Sequence, residues 1–378
     1  MTALRIAFDA RYINDRYQGI GRYAFRLLDA LVAAAPQHTF IVFQGKEQNS
    51  RFDWQRLVSS PNVEVRAGPW PLYWPHEQLQ WSWLLRRSGA DLFHTPYFVV
   101  PLMASVPIIA TVHDLIFDRY PAYMPWAWSR PYYRLLMRWG TRRARRVIAV
   151  SQVTAADLAH YYGTPPQKTV VVPEGADPSF TPVTDAWRLE ELRQRHGLSR
   201  PFVLTVGVRR PHKNLTRLVQ AFASLAQETT HDLVFVGPLD GRFTDEARQA
   251  VDALGLDGRV TFLNWVAETD LPGLYSLADL VILPSLMEGF GLPALEAMAC
   301  GIPVVAANNS SLPEVLGDAG VLMDPYAVLA MADAMRRLLS DEALRRRLSA
   351  AGRERAASLS WEKAAQQILA VYQEVAPR

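Results

Sequence analysis

The stretch LVILPSLMEGFGLPALEAMACGIPVVAANNSSLPEVLGDAGVLMDP (280–325) alternates short apolar runs at 280–284, 303–308 and 320–324 with polar, glycine-bearing turns. A helix opens after the first run, with Pro293 suited to its first position, where no amide is needed. Short apolar strands bounded by turn residues and separated by helices predict a parallel sheet covered on both faces.

The same alternation extends outward in both directions. Before the stretch come strand candidates FVLTVG (202–207), DLVFVG (232–237) and RVTFLN (259–264), with the amphipathic run NLTRLVQAFASLAQ (214–227) among them. After it come AVLAMADAMRRLLS (327–340) and the closing SWEKAAQQILAVYQEV (360–375), with Ser360 as its expected N-cap. The first half repeats the pattern through RIAFDA (5–10), TFIVFQ (39–44), NVEVR (62–66), DLFH (91–94), VPIIATV (106–112), RVIAVS (146–151) and TVVVP (169–173). Between the halves, PEGADPSFTPVT (173–184) breaks the periodicity and reads as a linker. The expected fold class is α/β: two Rossmann-like doubly wound parallel-sheet domains, 1–180 and 185–359. Ligands of such sheets bind beyond the carboxyl ends of the strands, so two such domains would present both rims to an interdomain cleft.

Composition narrows the class. The chain has 378 residues and 49% apolar content, enough for two buried cores. No run approaches the length of a membrane span, the start MTALRIAFDARY carries no leader pattern, and a cytoplasmic location is expected. One cysteine, Cys300, leaves no intrachain disulfide and no cysteine-based zinc site. The first 180 residues hold 20 Lys and Arg against 13 Asp and Glu, the rest 20 against 24. Eight of the eleven tryptophans fall in the first 139 residues, most of them in two arginine-bearing runs, 69–87 and 119–146. Two readings stand: a peripheral contact with the inner face of the cytoplasmic membrane, or aromatic packing in an arginine-rich protein. No nucleic-acid-binding motif accompanies the charge.

The chemistry concentrates in the quoted stretch. Backbone amides at Phe290, Gly291 and Leu292 would stand at a helix N-terminus, with glycines permitting close approach, as a diphosphate site requires. Glu288 lies in the loop and Glu296 about one turn into the helix, so one carboxylate would reach a sugar and the other a ribose diol. Taken singly, Glu296 also reads as a first-turn acid complementing the helix dipole, and Glu288 as a solvated loop residue.

In context the segment E-GFGLPAL-E, with PSLMEGFGLP, ALEAMACGIPVV and SSLPEVLGDAG around it, resembles the signature of glycosyltransferase family 4, retaining enzymes of the GT-B fold. FDARY, GIGRY, FHTPY (93–97), HDL (113–115), VSQ (150–152), VGVRRPHKNL (206–215) and SWEKAA extend the resemblance along nearly the whole chain. It implies a C-terminal domain that holds a nucleotide-sugar donor, an N-terminal domain that takes a glycan or lipid-linked acceptor, and a last helix, 360–378, that joins the N-terminal domain. By pattern the chain is similar to bacterial mannosyl- or related hexosyltransferases of surface-polysaccharide assembly.

The resemblance also implies roles. Lys213 matches the phosphate-binding lysine. The family's arginine six residues earlier is Gly207 here, leaving Arg209 and Arg210 as substitutes and His212 where a related pattern has arginine. Gly19 and Gly21 match a glycine loop that closes over phosphates or acceptor, although G-x-G alone also fits a helix-start turn. His113 matches a residue that contacts the donor sugar, Asp114 orients its loop, and His94 is a weaker site candidate. Cys300 reads as a buried small residue.

Anomeric substitution places negative charge on the departing diphosphate, so stabilising that charge is the main electrostatic task. Lys213, the neighbouring arginines and the 290–292 amides would supply it, with no D-x-D motif, no metal and no cofactor beyond the nucleotide-sugar substrate, GDP- and UDP-linked sugars both remaining open. A nucleotide-sugar epimerase, a sugar phosphorylase, or a non-catalytic sugar- or lipid-binding partner would use the same architecture.

Overall fold

A computed structural model describes residues 3–15, 18–69, 75–101, 103–124 and 129–377. Trp70, Trp74, Trp126 and Trp128, from the two aromatic and basic runs, lie outside the described residues. The chain divides into two compact units, Met1–Gly175 with Trp361–Arg378, and Ala176–Ser360.

The first unit is built on seven parallel strands, β1 (Arg5–Asp9), β2 (Thr39–Gln44), β3 (Val63–Ala67), β4 (Leu92–Thr95), β5 (Ile108–Val112), β6 (Arg146–Ala149) and β7 (Thr169–Val171). Their order is β3-β2-β1-β4-β5-β6-β7. The helices are α1 (Gln18–Ala34), α2 (Trp54–Val58), α3 (Pro75–Ser88), α4 (Ile116–Arg119), α5 (Ser129–Arg143) and α6 (Gln152–Tyr162). Strand order reverses between β1 and β4. Right-handed crossovers therefore put α1 and α2 on one face, and α3, α5 and α6 on the other. Trp81 and Leu85 of α3 pack with Tyr133 and Met137 of α5 over strand residues such as Phe93, Ile108 and Val147.

An ion cluster fastens this layer. Arg11, just beyond β1, lies 2.7 Å from Asp9 and 2.7 Å from Glu77 of α3, and its guanidinium sits over the Trp81 ring. Burial works against the charge, but the two carboxylates outweigh it and hold the guanidinium protonated. Removing one member would strand a buried charge, at a cost of about 3–5 kcal/mol.

The second unit has six parallel strands, β8 (Phe202–Val206), β9 (Asp232–Val236), β10 (Val260–Leu263), β11 (Leu280–Leu283), β12 (Val304–Ala307) and β13 (Val321–Met323), in the order β10-β9-β8-β11-β12-β13. Its helices are α7 (Ala186–His196), α8 (Leu215–Leu225), α9 (Glu246–Ala253), α10 (Leu271–Leu277), α11 (Leu292–Ala299), α12 (Leu312–Leu316), α13 (Val328–Ser340) and α14 (Glu342–Ser358). Here the order reverses between β8 and β11. Leu218, Val219, Phe222 and Leu225 form the buried stripe of α8, and β11 is buried at every residue, as a central parallel strand should be.

The last helix, α15 (Trp361–Val375), belongs to the first unit and packs on α1. Trp361, Ala364, Ala365, Ile368, Val371, Tyr372 and Val375 make its buried face at helical spacing. Tyr372 hydroxyl lies 2.6 Å from His94 Nδ1 on β4.

Candidate active site

In the second unit the site residues gather where strand order reverses. Lys213 closes a short turn (Pro211–Lys213) after β8, and Glu288 sits in the loop after β11. These strands flank the reversal, the place where a doubly wound sheet opens a crevice beyond its carboxyl ends. Lys213 Nζ donates to Glu288 Oε1 at 2.6 Å. A pocket at this edge is lined by Thr205, Gly207, Lys213, Phe235, Leu283 and Ser285. The lysine stem fills the space beside Gly207: a Cβ there would stand 3.5 Å from Nζ.

Both partners are held by the backbone around them. Asn214, in the left-handed region at φ 59°, donates its amide to the carbonyls of Pro284 and Pro325, at 3.0 and 2.7 Å, tying the lysine turn to the ends of β11 and β13. Ser310 Oγ accepts from the Glu288 amide at 3.1 Å. Ser311 Oγ donates to the carbonyls of Glu288 and Phe290 at 3.0 and 2.6 Å.

Gly291 caps α11 at φ 112°, a conformation that only glycine adopts without strain. The amides of Gly289, Phe290 and Gly291 donate to no protein acceptor among the described residues, and Leu292 is the first helical residue, whose amide has no intrahelical partner. Donors and helix dipole thus point out of the turn beside Lys213 and Glu288. Glu296 lies in α11 with 2% of its surface exposed, and Tyr275 hydroxyl donates to its Oε2 at 3.0 Å. Burial, with the nearby Glu296 carboxylate, pushes the Cys300 thiol up to about 12, so this cysteine stays a neutral core residue.

Arg209 and Arg210 are not brought to the Lys213–Glu288 pair. The Arg209 guanidinium turns to Asp245, Asn264 and the Gly237 carbonyl, over the Phe262 ring. Arg210 Nε donates to Asp240 at 2.8 Å. Each is engaged by the segment after β9, a placement that residue type alone could not reveal. His212 is buried; desolvation, then the neighbouring Lys213 and Arg210, pull its pKa down to about 2. It is neutral and adds no positive charge.

In the first unit His113 follows β5 at the same strand edge as β1 and β4. Its Nδ1 lies 3.2 Å from Glu174 Oε1 and its Nε2 2.9 Å from the Pro96 carbonyl. The Tyr23 ring meets it edge-on, with centroids 4.6 Å apart, and Thr154 hydroxyl donates to its carbonyl. Asp114 Oδ1 accepts from the Ile116 amide and so turns the chain into α4. His94 is buried in β4 between Thr111 and Tyr372, and burial holds its pKa down to about 3. That makes it a neutral structural link.

The glycine segment differs from expectation: Gln18–Tyr23 is the start of α1, not a loop. A Cβ on Gly21 would lie 2.8 Å from the Tyr12 carbonyl oxygen, so this glycine lets the helix abut the loop after β1. Gly19 meets nothing within 4 Å.

Two family models match the chain, "Glycosyltransferase Family 4" over residues 17–180 and "Glycosyl transferases group 1" over 189–355. The D-inositol 3-phosphate glycosyltransferase of Xylanimonas cellulosilytica is 34% identical over 307 residues, 76% of this chain and 73% of that protein. The chain belongs to glycosyltransferase family 4. Similarity also extends end to end: the O-antigen chain mannosyltransferase B of Escherichia coli is 29% identical across 98% of this chain and 99% of that one. Among solved structures, sucrose-phosphate synthase from Thermosynechococcus elongatus superposes with a TM-score of 0.78 at 26% identity, covering 98% of each chain. The two parallel-sheet units are those of the GT-B fold. Within this glycosyltransferase, Glu174, Asn214, Ser310 and Ser311 are supporting residues to which the sequence reading gave no role, although Asn214, Ser310 and Ser311 lie inside the quoted motifs. Glu174 lies just beyond β7, at the edge where β5 delivers His113.

Proposed function

We propose that this family 4 glycosyltransferase moves a hexosyl group, mannosyl first among the candidates, from a nucleoside-diphosphate sugar to a glycan or lipid-linked acceptor with retention of anomeric configuration. The observation that carries the reading is the Lys213–Glu288 pair at the β8/β11 reversal, beside amides at 289–291 that have no protein acceptor among the described residues. A cation and a row of free N–H groups suit a diphosphate. End-to-end similarity to a mannosyltransferase supports the choice of sugar.

In this mechanism Lys213 exchanges Glu288 for the diphosphate when donor arrives, and Glu288 turns to the hydroxyls of the transferred sugar. The C1–O bond to phosphate breaks, the C1–O bond to the acceptor forms on the same face, and the acceptor's hydroxyl proton passes to the departing phosphate oxygen. Protein groups alone stabilise the leaving group, Glu296 holds the ribose diol, and His113 is assigned to the sugar by its motif position. Product release needs only the reverse exchange at Lys213.

A thermal-shift screen of GDP-, UDP- and ADP-linked sugars is expected to give selective stabilisation by one nucleotide. Lys213→Ala then lowers kcat by about a hundredfold to a thousandfold, the range for removing one preorganised electrostatic stabiliser, and turnover persists in chelator. An inverted product anomer would overturn the retaining route. Unchanged donor affinity in Glu296→Ala would overturn the nucleotide pocket.

A further inference from the structure

Two helices of the first unit carry one exposed pattern that the transfer chemistry leaves unused. In α3 it runs Leu79, Trp83, Arg86, Arg87; in α5 it runs Leu135, Trp139, Arg142, Arg143. Each is Leu-x3-Trp-x2-Arg-Arg, which sets leucine and tryptophan one turn apart on one side of the helix and the arginines one turn further. Both helices cover the same sheet face, and their opposite sides enter one core through Trp81, Leu85, Tyr133 and Met137. The repeated residues therefore face out. Leu79 is 64% exposed, Trp83 57%, Leu135 62% and Trp139 41%. Met103, 57% exposed, belongs to the adjoining loop, whose Ala104 carbonyl accepts from Arg143 at 2.8 Å.

The charge around these side chains is one-sided. α5 has five arginines and no acid. Among the described residues, Arg86, Arg87, Arg138 and Arg142 have no carboxylate within ion-pair distance, whereas Arg134 is matched by Asp118. Burial and then the field of Arg143 and Arg145 lower the pKa of Lys168, which reaches the Arg142 carbonyl.

Four large apolar side chains standing out among uncompensated arginines are costly in water and well matched to one environment. Indoles and leucines settle at the boundary between headgroups and acyl chains, and arginine stems reach back to lipid phosphates. An acidic protein partner would satisfy the charge but would bring carboxylates against leucine and tryptophan. No helix of the described residues is long and apolar enough to cross a membrane, so the contact is with a surface.

We propose that the outer face of α3 and α5 docks on an anionic lipid bilayer, with Leu79, Trp83, Leu135 and Trp139 entering the interface and Arg86, Arg87, Arg138 and Arg142 pairing with lipid phosphates. The inference is independent of the reaction proposed above.

The test is co-sedimentation of the full chain with vesicles of phosphatidylglycerol mixed with phosphatidylcholine, and with phosphatidylcholine alone. Binding to the mixed vesicles is expected to exceed binding to the neutral ones at least about tenfold and to weaken as salt rises. Arg138→Glu/Arg142→Glu and, separately, Leu135→Ser/Trp139→Ser should each lower it about tenfold or more with the melting temperature unchanged. Equal binding to both vesicle types, no binding, or binding that neither double variant reduces would overturn the proposal. So would a dimer in solution that the Leu135→Ser/Trp139→Ser variant dissociates, because the face would then be an interface between copies.

Discussion

Glu174 and the Pro96 carbonyl hold the His113 ring from both nitrogens, and the two contacts constrain where its protons sit. A carbonyl only accepts, so Nε2 carries a hydrogen; Nδ1 then shares a proton with the Glu174 carboxylate whenever that contact is a hydrogen bond. Glu174 is thus a positioning residue for His113. Glu174→Ala should lower kcat/KM about tenfold, as expected when one hydrogen bond to a charged group is lost. Glu174→Gln should keep the melting temperature and restore part of that loss, because its amide oxygen can still accept from Nδ1–H. Unchanged kcat/KM in Glu174→Ala, or no rescue by Glu174→Gln, would refute the role. Such a residue is hard to find in sequence. Glu174 sits in a proline-bearing stretch that reads as a linker, and only the return of β7 beside β6 brings it to the edge shared with His113. Arg209 and Arg210 illustrate the opposite case: their types fit a phosphate, but in this structure they pair with Asp245 and Asp240 of the 240–245 segment.

Parallel strands were legible because burial on both faces leaves continuous apolar runs, and all thirteen strands fall within stretches that read as such, give or take a residue at the ends. The start of α1 was not, since two glycines in QGIG lower helix propensity and only close packing against the loop at Tyr12 makes the turn worthwhile. The Glu288–Glu296 turn was legible in both position and shape, because glycine, proline and helix onset follow from local rules. At this scale α15 offers a clean test. Its Tyr372 hydroxyl and the buried His94 satisfy each other at 2.6 Å. Tyr372→Phe removes that partner without changing shape and should destabilise the first unit by about 1–3 kcal/mol, the cost of an unsatisfied buried polar group. Denaturant unfolding followed by a probe confined to that unit would read it. No loss of stability would mean that a solvent molecule replaces the hydroxyl.

For the molecule as a whole, two strongly shifted buried imidazoles, one in each unit, set most of the response to acid, and burial lowers His38 of the first unit as well. His94 is held near 3 and His212 near 2, both mainly by burial, whereas an unfolded histidine protonates near 6.5. Native imidazoles stay neutral while unfolded ones take up a proton. Stability is therefore full above about pH 6.5 and falls as pH drops, by about 1.4 kcal/mol per pH unit for each histidine. Melting curves between about pH 7 and pH 5, where most carboxylates stay ionised, should show this slope, and His94→Asn should remove the share belonging to His94. A pH-independent midpoint over that range would exclude it. The doubly wound plan of both units was readable from alternation alone, but the order in which they can be completed was not. The first unit borrows its last helix from the far end of the chain. At about 5–20 residues per second, translation spends roughly ten to forty seconds on the second unit while the apolar surface of α1 waits for its cover. The nascent first unit is then an unfinished body at the ribosome, dependent on shielding until synthesis reaches Val375.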